Sequence, residues 1–135
     1  MLPIKALIFD LDGTLALFGD KNPYERDFEN DKVNWPVYSI IANSPYNVIF
    51  VSGRFEEFRK QTELFLIKTF GHTNYKLFMR KDGDMRNDAI VKYEIYRENI
   101  HGKYKVEFVL DDRNRVVNMW RRIGLTCLQV AEGNF

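Results

Sequence analysis

Short continuous apolar runs alternate along this chain with stretches in which apolar residues recur every three or four positions. A continuous run of about four to eight residues bounded by turn residues is typical of a buried strand, whereas the three-to-four repeat is typical of a helix with one buried face. The runs predict five buried strands, at residues 5–9, 47–51, 75–79, 106–110 and 125–130.

The three-to-four repeat predicts four helices between these strands. Asn34 is a favoured N-cap residue for the first helix, which Ser44-Pro45 ends, and Gly71 is a typical stop for the second. The expected buried faces are, in chain order, Val37, Ile40 and Ile41; Phe55, Phe58, Thr62, Phe65 and Leu66; Ala89, Tyr93, Tyr96 and Ile100; and Val116, Trp120 and Ile123.

Strand and helix alternate throughout the 135 residues. Such alternation predicts parallel strands joined by right-handed crossovers. We therefore expect one α/β domain over residues 1–135, with a Rossmann-like parallel sheet and helices on both faces. Residues 15–33 are rich in glycine, proline and acidic residues, and this composition predicts a flap over the strand ends.

Composition and charge exclude some classes of protein. The net charge of +1 is too small to indicate a nucleic-acid partner by itself. The single cysteine, Cys127, cannot form an internal disulfide, which fits a reducing compartment. No apolar run is long enough to span a bilayer, and no signal peptide precedes the first strand. We therefore expect a cytoplasmic protein without a membrane partner.

Two aspartates follow the first predicted strand at once, in Asp10-Leu11-Asp12-Gly13-Thr14. Ligands of open α/β sheets bind outside the carboxyl ends of the strands, so both carboxylates are expected in one crevice. Two carboxylates so close repel each other unless a cation or a proton lies between them. Mg²⁺ prefers such oxygen ligands. The alternative is a solvated turn, since Asp and Gly are common in turns.

These carboxylates have the chemistry that phosphoryl transfer requires. Asp10 can attack phosphorus as a nucleophile, and Asp12, oriented by Thr14, can act as general acid and then general base. Asp111 and Asp112 end the fourth strand, where carboxylates are costly without a cation, and with the first two aspartates they can complete a Mg²⁺ site.

Further polar groups follow the second strand and lie on the third helix. Ser52 and Gly53 can bind phosphate oxygens at the start of a helix, and Arg54 offers a planar fork of donors. Lys92 lies four residues after Asp88, within ion-pair range on a helix, and can neutralise charge on phosphoryl oxygens. Each of these groups alone also fits a capped turn or a solvated helix face, but their joint occurrence in this order favours a phosphoryl-transfer site.

The order of these groups resembles that of the haloacid dehalogenase superfamily of phosphotransferases. More narrowly, the chain resembles the 3′-phosphatase domain of phage-type polynucleotide kinase/phosphatase, an enzyme that heals nucleic-acid ends. The resemblance covers the whole chain. It rests on residues 9–16, 51–54, 83–86, 111–113 and, as the most specific part, 119–124 with 129–131.

The resemblance implies roles for residues that match the motifs. Asp10 would be the nucleophile and Asp12 the general acid and base. Arg54, Asp88 and Lys92 would belong to the active site. Asp112 would be the principal acidic ligand of the metal, beside Asp111.

Residues that contact the nucleic acid are also implied. Arg80 and Arg86 would be contacts to the strand. The family has an essential arginine in the flap, and the corresponding position here is Lys21. A lysine keeps the positive charge but loses the bidentate fork, which would weaken substrate binding more than chemistry.

Two features are missing from the sequence. No GxxxxGK[ST] loop occurs, so we expect a phosphatase without kinase activity, with any kinase or ligase on another polypeptide. Many superfamily members carry a cap domain after the first motif or between the second and third. The intervals 15–51 and 55–91 leave no room for a large one. An uncapped crevice can admit a polynucleotide end, whereas capped members favour small molecules.

The sequence thus predicts a Mg²⁺-dependent phosphatase that removes 3′-phosphates from DNA or RNA ends through an aspartyl-phosphate. Related enzymes also open 2′,3′-cyclic phosphates. Two alternatives stay open. A small-molecule phosphatase would hydrolyse mononucleotides as fast as oligonucleotides, and a silent end-binding module would bind 3′-phosphate ends without releasing phosphate.

Overall fold

The computed structural model describes residues 2–22 and 26–135, and each predicted strand and helix is found there close to its expected position. The strands are β1 (Ile4–Phe9), β2 (Ala16–Leu17), β3 (Lys32–Val33), β4 (Asn47–Phe55), β5 (Lys76–Arg80), β6 (Tyr104–Asp111) and β7 (Cys127–Gln129). The helices are α1 (Trp35–Ala42), α2 (Arg59–Phe70), α3 (Asp88–Asn99) and α4 (Asn114–Arg122), with 3₁₀ helices at Phe28–Asn30 and Glu56–Phe58.

The main sheet has five parallel strands in the order β5-β4-β1-β6-β7, which confirms the predicted α/β fold. The central strand β1 pairs with β4 on one side and with β6 on the other. The chain builds outward from β1 to β4 and β5, then returns to β6 across the centre. The crevice between β1 and β6 is therefore the point at which ligands of such sheets bind.

Alternate residues of β1 supply two separate cores. Ala6 and Ile8 pack with apolar residues of α3 and α4, whereas Leu7 and Phe9 pack with those of α1 and α2. Successive side chains of a strand point to opposite faces, so a strand that is apolar throughout must be covered on both sides. The helices on both faces of the sheet, expected from the alternation of strands and helices, provide this cover.

The structure differs from the sequence expectation in two helix faces, in β4 and in the flap. Ile40 and Tyr93, expected on buried faces, are 39% and 38% exposed. β4 continues to Phe55, past the predicted end at residue 51, because Ser52 and Phe55 still pair with β5 on either side of an irregularity.

The flap contains the antiparallel pair β2–β3 and a 3₁₀ helix. The two strands have two residues each and the 3₁₀ helix has three, so these elements are too short to show a hydrophobic period. Pro23 and Glu25, which contributed to the flap prediction, lie outside the described residues.

No cap domain is present among the described residues, as the spacing of the motifs predicted. The flap and α1 occupy the interval between β1 and β4, and a 3₁₀ helix and α2 occupy that between β4 and β5. Within residues 2–22 and 26–135, no helix has the length and apolar character needed to cross a bilayer.

A substitution of Phe65 in α2 tests the core that supports β1 and β4. It is 1% exposed, whereas the neighbouring Leu64 is 39% exposed on the same helix. Phe65→Ala is expected to lower the free energy of unfolding by about 3–5 kcal/mol, through lost burial and the cavity left behind. Leu64→Ala, the matched control, should cost less than about 1 kcal/mol. Urea denaturation measures both, and equal costs would contradict this account of the core.

Candidate active site

The carboxyl ends of β1 and β6 bring three aspartates together. Asp10 follows β1 directly, Asp111 is the last residue of β6, and Asp112 comes next. The backbone N–H of Asp10 donates to the carbonyl of Leu110 at 3.0 Å, which fixes the register of the two strand ends. Parallel neighbours end at the same edge of a sheet, so side chains about a hundred residues apart in sequence become neighbours in space.

The three carboxylates form a buried acidic cluster. Asp10, Asp111 and Asp112 each offer one oxygen, and these oxygens lie within 4.8 Å of one another. All three residues are almost completely buried, with exposures of 5%, 1% and 5%. Such crowded hard oxygen donors are suited to a divalent cation.

Lys92 of α3 is the cation that contacts this cluster. Its Nζ donates to Asp10 at 2.8 Å and to Asp111 at 2.9 Å. Burial lowers the pKa of Lys92, but the two carboxylates raise it by more, so it ends above the ordinary value. The expected pair with Asp88 is not formed in the structure. Asp88 instead accepts from Arg113 at 2.6 Å and lies 3.5 Å from Arg115.

Two buried side chains donate hydrogen bonds to the acidic cluster. Thr14 is fully buried, and its Oγ1 donates to Asp10 at 3.0 Å. The sequence analysis expected Thr14 to orient Asp12, but the turn at Gly13 directs its hydroxyl to Asp10 instead. The indole N–H of Trp120 donates to Asp111 at 3.2 Å from within the core. Trp120 is therefore both a packing residue and a hydrogen-bond donor to the site.

Gly13 is required at its position by close approach as well as by backbone angle. Its φ is +82°, and a Cβ built there would lie 2.1 Å from a carboxylate oxygen of Asp112. A side chain at this point would displace Asp112 from the cluster.

Two members of the acidic cluster, Asp10 and Asp112, have pKa values above those of ordinary aspartates. Burial, and then the charge of Asp111, raise the pKa of Asp10 well above its usual value, although Lys92 opposes the shift. Burial also raises the pKa of Asp112. Three carboxylates face one lysine here, so the cluster carries excess negative charge that a divalent cation could neutralise.

Asp12 has different surroundings. Its carboxylate accepts from Arg54, with Nη2 at 2.7 Å and Nε at 3.2 Å, and it also accepts from Arg26 of the flap. Burial raises the pKa of Asp12, but Arg54 and then Arg26 lower it by more, so the pKa falls below its usual value. Asp12 is not part of the acidic cluster found among the described residues, although the sequence analysis counted it as a metal ligand.

Asp31 of the flap is a second carboxylate that links the same two arginines. It accepts from Arg26 Nε at 2.8 Å and Nη2 at 3.0 Å, and from Arg54 Nη2 at 3.1 Å. Arg54 Nη1 also donates to Thr62 of α2 at 3.0 Å. Asp12, Arg54, Asp31 and Arg26 thus form a ring of alternating charges, which we call the charge quartet.

Aromatic rings hold the two guanidinium groups of the quartet. Phe28 lies 4.4 Å from the guanidinium carbon of Arg26 and 4.5 Å from that of Arg54, measured to the ring centroid. Phe18 lies 4.2 Å from the guanidinium carbon of Arg26. Phe28 also packs on Phe58 at 4.8 Å between ring centroids, which fixes the flap against the region that precedes α2.

A cavity of about 620 Å³ lies above the acidic cluster and Asp12. Exposed residues Met85, Arg86 and Phe135 form part of its lining, so it opens to solvent. Its volume lies within the range of small-ligand sites and exceeds that of a phosphate group alone. The other lining residues are Asp10, Asp12, Gly13, Phe18, Phe28, Gly53, Arg54, Phe55, Phe58, Arg80, Asp84, Asn87, Asp88, Lys92, Asp111, Asp112, Arg113 and Arg115.

Ser52 and Arg80, which were predicted to contact the substrate, make hydrogen bonds within the protein. Ser52 is buried, and its Oγ accepts from the N–H of Arg54 at 3.1 Å. Arg80 donates to the carbonyls of Gly53, Asp84 and Arg86 at 2.7–2.9 Å, and so fastens the loop before α3 to the end of β4. Arg80 therefore stabilises the position of this loop.

Arg86 and Lys21 occupy contrasting positions. Arg86 is exposed at the cavity, where it pairs with Asp84 at 2.9 Å and with Glu94 at 2.6 Å. Lys21 is exposed in the flap and does not line the cavity in the described part of the chain. Arg26, five residues later, is the flap cation that reaches Asp12.

Sequence reasoning missed Arg26, Asp31 and the hydrogen bond of Trp120. Arg26 and Asp31 lie in an irregular flap that has no period to align them with the strand ends. The aromatic residues around Arg26 are the one available signal, because arginine commonly stacks on aromatic rings.

Comparison with known proteins gives a family match over nearly the whole chain. A family model described as the polynucleotide kinase PNKP phosphatase domain matches residues 4–135. A putative bifunctional polynucleotide kinase/RNA ligase of Autographa californica nuclear polyhedrosis virus is 37% identical over 125 residues. That match covers 87% of this chain and 18% of the viral protein.

Two solved structures share the fold. A chain in the structure of the Pnkp1/Rnl/Hen1 RNA repair complex has 45% identity and a TM-score of 0.92. A chain in a second Pnkp1/Rnl/Hen1 structure has 45% identity and a TM-score of 0.90. Each match covers 98% of this chain but only 44% and 48% of those chains, so this chain spans less than half of their length.

The raised pKa values of Asp10 and Asp112 predict how a divalent cation affects stability. Without a cation, their contribution to stability is fully present below the ordinary carboxyl pKa and is lost as pH rises through the raised values. Added Mg²⁺ at ten times its dissociation constant should therefore raise Tm by roughly 3 °C or more at pH 8, and by much less at pH 5, where protons compete more strongly with the ion.

Differential scanning fluorimetry with and without Mg²⁺ measures this effect. The isosteric variant Asp112→Asn is the control, and it should lose most of the rise at pH 8. An equal rise at both pH values, or an unchanged rise in the variant, would contradict a cation site at the acidic cluster.

Proposed function

Because the chain belongs to the family of polynucleotide kinase PNKP phosphatase domains, we propose that it removes the 3′-phosphate from the end of a nucleic-acid strand. The family match establishes a phosphatase of the haloacid dehalogenase type, a phosphoric monoester hydrolase. The observation that carries the narrower proposal is the uncapped, solvent-open cavity above Asp10 and Asp12. A strand end can enter such a cavity while the rest of the strand stays outside.

The first step in this proposal is attack by Asp10 on phosphorus. The Asp10–P bond forms as the bond from phosphorus to the 3′-oxygen breaks. Lys92, 2.8 Å from Asp10, would neutralise charge on the transferring oxygens. A Mg²⁺ ion held by Asp10, Asp111 and Asp112 would supply further neutralisation when bound. Three buried carboxylates with one lysine fit such an ion.

Asp12 in this proposal protonates the departing 3′-oxygen and later takes a proton from the water that hydrolyses the aspartyl-phosphate. The low pKa of Asp12 keeps its carboxylate ionised, which the second task requires. The first task requires a proton on Asp12. A substrate phosphate that binds Arg54 and Arg26 would offset with its own negative charge the positive charges that lower this pKa, and would thereby favour protonation of Asp12.

Arg54 and Arg26 are the proposed phosphate ligands. Both present planar guanidinium groups next to Asp12, and a bidentate fork matches phosphate oxygens. In this proposal Arg26 supplies an arginine from the flap, next to the phosphate-binding Arg54. The role predicted for Lys21, and the weaker substrate binding expected from a lysine there, stay predictions.

RNA ends are the proposed substrate. One relative is named a putative polynucleotide kinase/RNA ligase, and the similar structures come from RNA repair complexes. By this likeness the phosphatase would act beside kinase and ligase activities. The reaction would occur in the cytoplasm, where the buried Cys127 stays reduced.

A matched substrate set tests the substrate class. Phosphate release with Mg²⁺ would be measured from 3′-phosphate RNA, 3′-phosphate DNA, 2′,3′-cyclic-phosphate RNA and a 3′-mononucleotide. We expect kcat/KM to be at least roughly tenfold higher for the RNA oligonucleotide than for the mononucleotide, because an open cavity can contact the strand. Equal rates on the oligonucleotide and the mononucleotide would instead indicate a small-molecule phosphatase. Tight binding of 3′-phosphate ends without phosphate release would indicate a silent end-binding module.

Asp10→Asn tests the nucleophile. The amide has the same shape but does not attack phosphorus, so kcat should fall by roughly a thousandfold or more. Thermal unfolding should change little, since the substitution also removes repulsion from Asp111. Asp20→Asn, an exposed carboxylate of the flap, is the control and should keep full activity. Turnover by Asp10→Asn at the normal rate would remove Asp10 from the mechanism.

A further inference from the structure

Asp31 is the member of the charge quartet that has no role in the chemistry described above. It belongs to the flap, directly before β3, and its side chain is 0% exposed. A buried carboxylate is costly unless it is paired and hydrogen-bonded. Both of its oxygens are used: Oδ1 accepts from Arg26, and Oδ2 accepts from Arg26 and from Arg54.

Asp31 and Asp12 both accept from the Nη2 atoms of Arg26 and Arg54, but they differ in their access to the cavity. Asp12 lines the cavity, and its side chain is 34% exposed. Asp31 is not among the cavity-lining residues in the described ranges. Arg54 lines the cavity, whereas Arg26 also is not among its lining residues in the described part of the chain. A phosphate group that enters the cavity can therefore compete with Asp12 for Arg54 directly, and for Arg26 only by displacing the Asp12 carboxylate that Arg26 contacts.

Asp31 is a buried acceptor that Arg26 and Arg54 share, and further contacts restrict the two guanidinium groups. Arg54 is also anchored by Thr62 of α2, and Phe28 packs against both guanidinium groups. The ring faces restrict tilt, but they do not fix rotation within the guanidinium plane. Hydrogen bonds to a carboxylate in that plane do fix it.

We propose that Asp31 is a positioning residue. It keeps Arg26 and Arg54 aligned when their hydrogen bonds to Asp12 are replaced by hydrogen bonds to the substrate phosphate. The inference rests on the proposed role of these two arginines as phosphate ligands. Without Asp31 the guanidinium groups would have to be ordered at the moment of binding, which weakens binding and misplaces the phosphate.

Asp31→Asn tests this role with inorganic phosphate as a competitive inhibitor and p-nitrophenyl phosphate as the substrate. Neither probe needs a nucleic-acid strand, so the result is independent of whether 3′-phosphate ends are the substrate. We expect the inhibition constant of phosphate and the KM to rise roughly tenfold or more, because the amide can accept only through one oxygen and turns an N–H₂ group toward one donor.

Asp27→Asn is the matched control in the same flap. Asp27 accepts from the N–H of Glu29 at 3.2 Å and from Asn30 at 2.6 Å, and these hydrogen bonds stabilise the 3₁₀ helix of the flap. This variant should leave the phosphate inhibition constant within about twofold of the parent. An equal rise in both variants would mean that flap folding alone is responsible, and would overturn the proposal.

A double-mutant cycle separates positioning from general stability. In an Arg26→Gln background, Asp31→Asn should raise the phosphate inhibition constant much less than it does alone, because one of its two partners is already gone. Fold-changes that multiply would show that Asp31 acts independently of Arg26, and would contradict the inference. Normal phosphate inhibition in Asp31→Asn would contradict it as well.

Asp31→Glu is the alternative test variant if Asp31→Asn does not fold. It keeps the charge but moves the carboxylate by one methylene, which disturbs the alignment of both guanidinium groups. Thermal unfolding verifies the fold of each variant. A folded Asp31→Glu protein with a raised phosphate inhibition constant supports the role of Asp31, and one with an unchanged constant overturns it.

Discussion

Three carboxylates share a single buried lysine at the carboxyl edge of the sheet, and this imbalance of charge governs the site. Lys92 contacts Asp10 and Asp111 from α3, while Thr14 and Trp120 supply neutral donors from the other sides. Neutral donors orient carboxylates but do not cancel their charge. The cluster therefore needs either protons or a divalent cation, and this need connects its folding stability to its chemistry.

The two halves of the cavity differ in electrostatic character. The acidic cluster has excess negative charge, whereas the charge quartet around Asp12 contains two acids and two arginines and is close to neutral. The same residue type thus has opposite pKa shifts within one cavity: raised at Asp10 and lowered at Asp12. Neighbouring carboxyl groups with divergent pKa values are suited to different tasks in one reaction.

The fold and the acidic cluster could be predicted from the sequence, because both follow from periodic patterns. Apolar runs located the strands, and parallel pairing then required Asp10 and Asp111 to meet at one edge. The flap could not be treated in this way, since its strands have two residues each and Arg26 reaches the site through irregular backbone. The i to i+4 spacing suggested a pair between Asp88 and Lys92, but tertiary contacts with Asp10 and Asp111 outweigh that local preference.

The position of β1 at the centre of the sheet has a consequence for synthesis of the chain. Phe9 pairs with Phe50 on one side and with Leu110 on the other, so β1 receives its second neighbour only after β4, β5 and α3 have been translated. Asp10 is thus kept apart from Asp111 and Asp112 until β6 leaves the ribosome. The nascent domain can pair β1, β4 and β5 without the electrostatic burden of the acidic cluster, and that burden arises only when β6 joins the sheet.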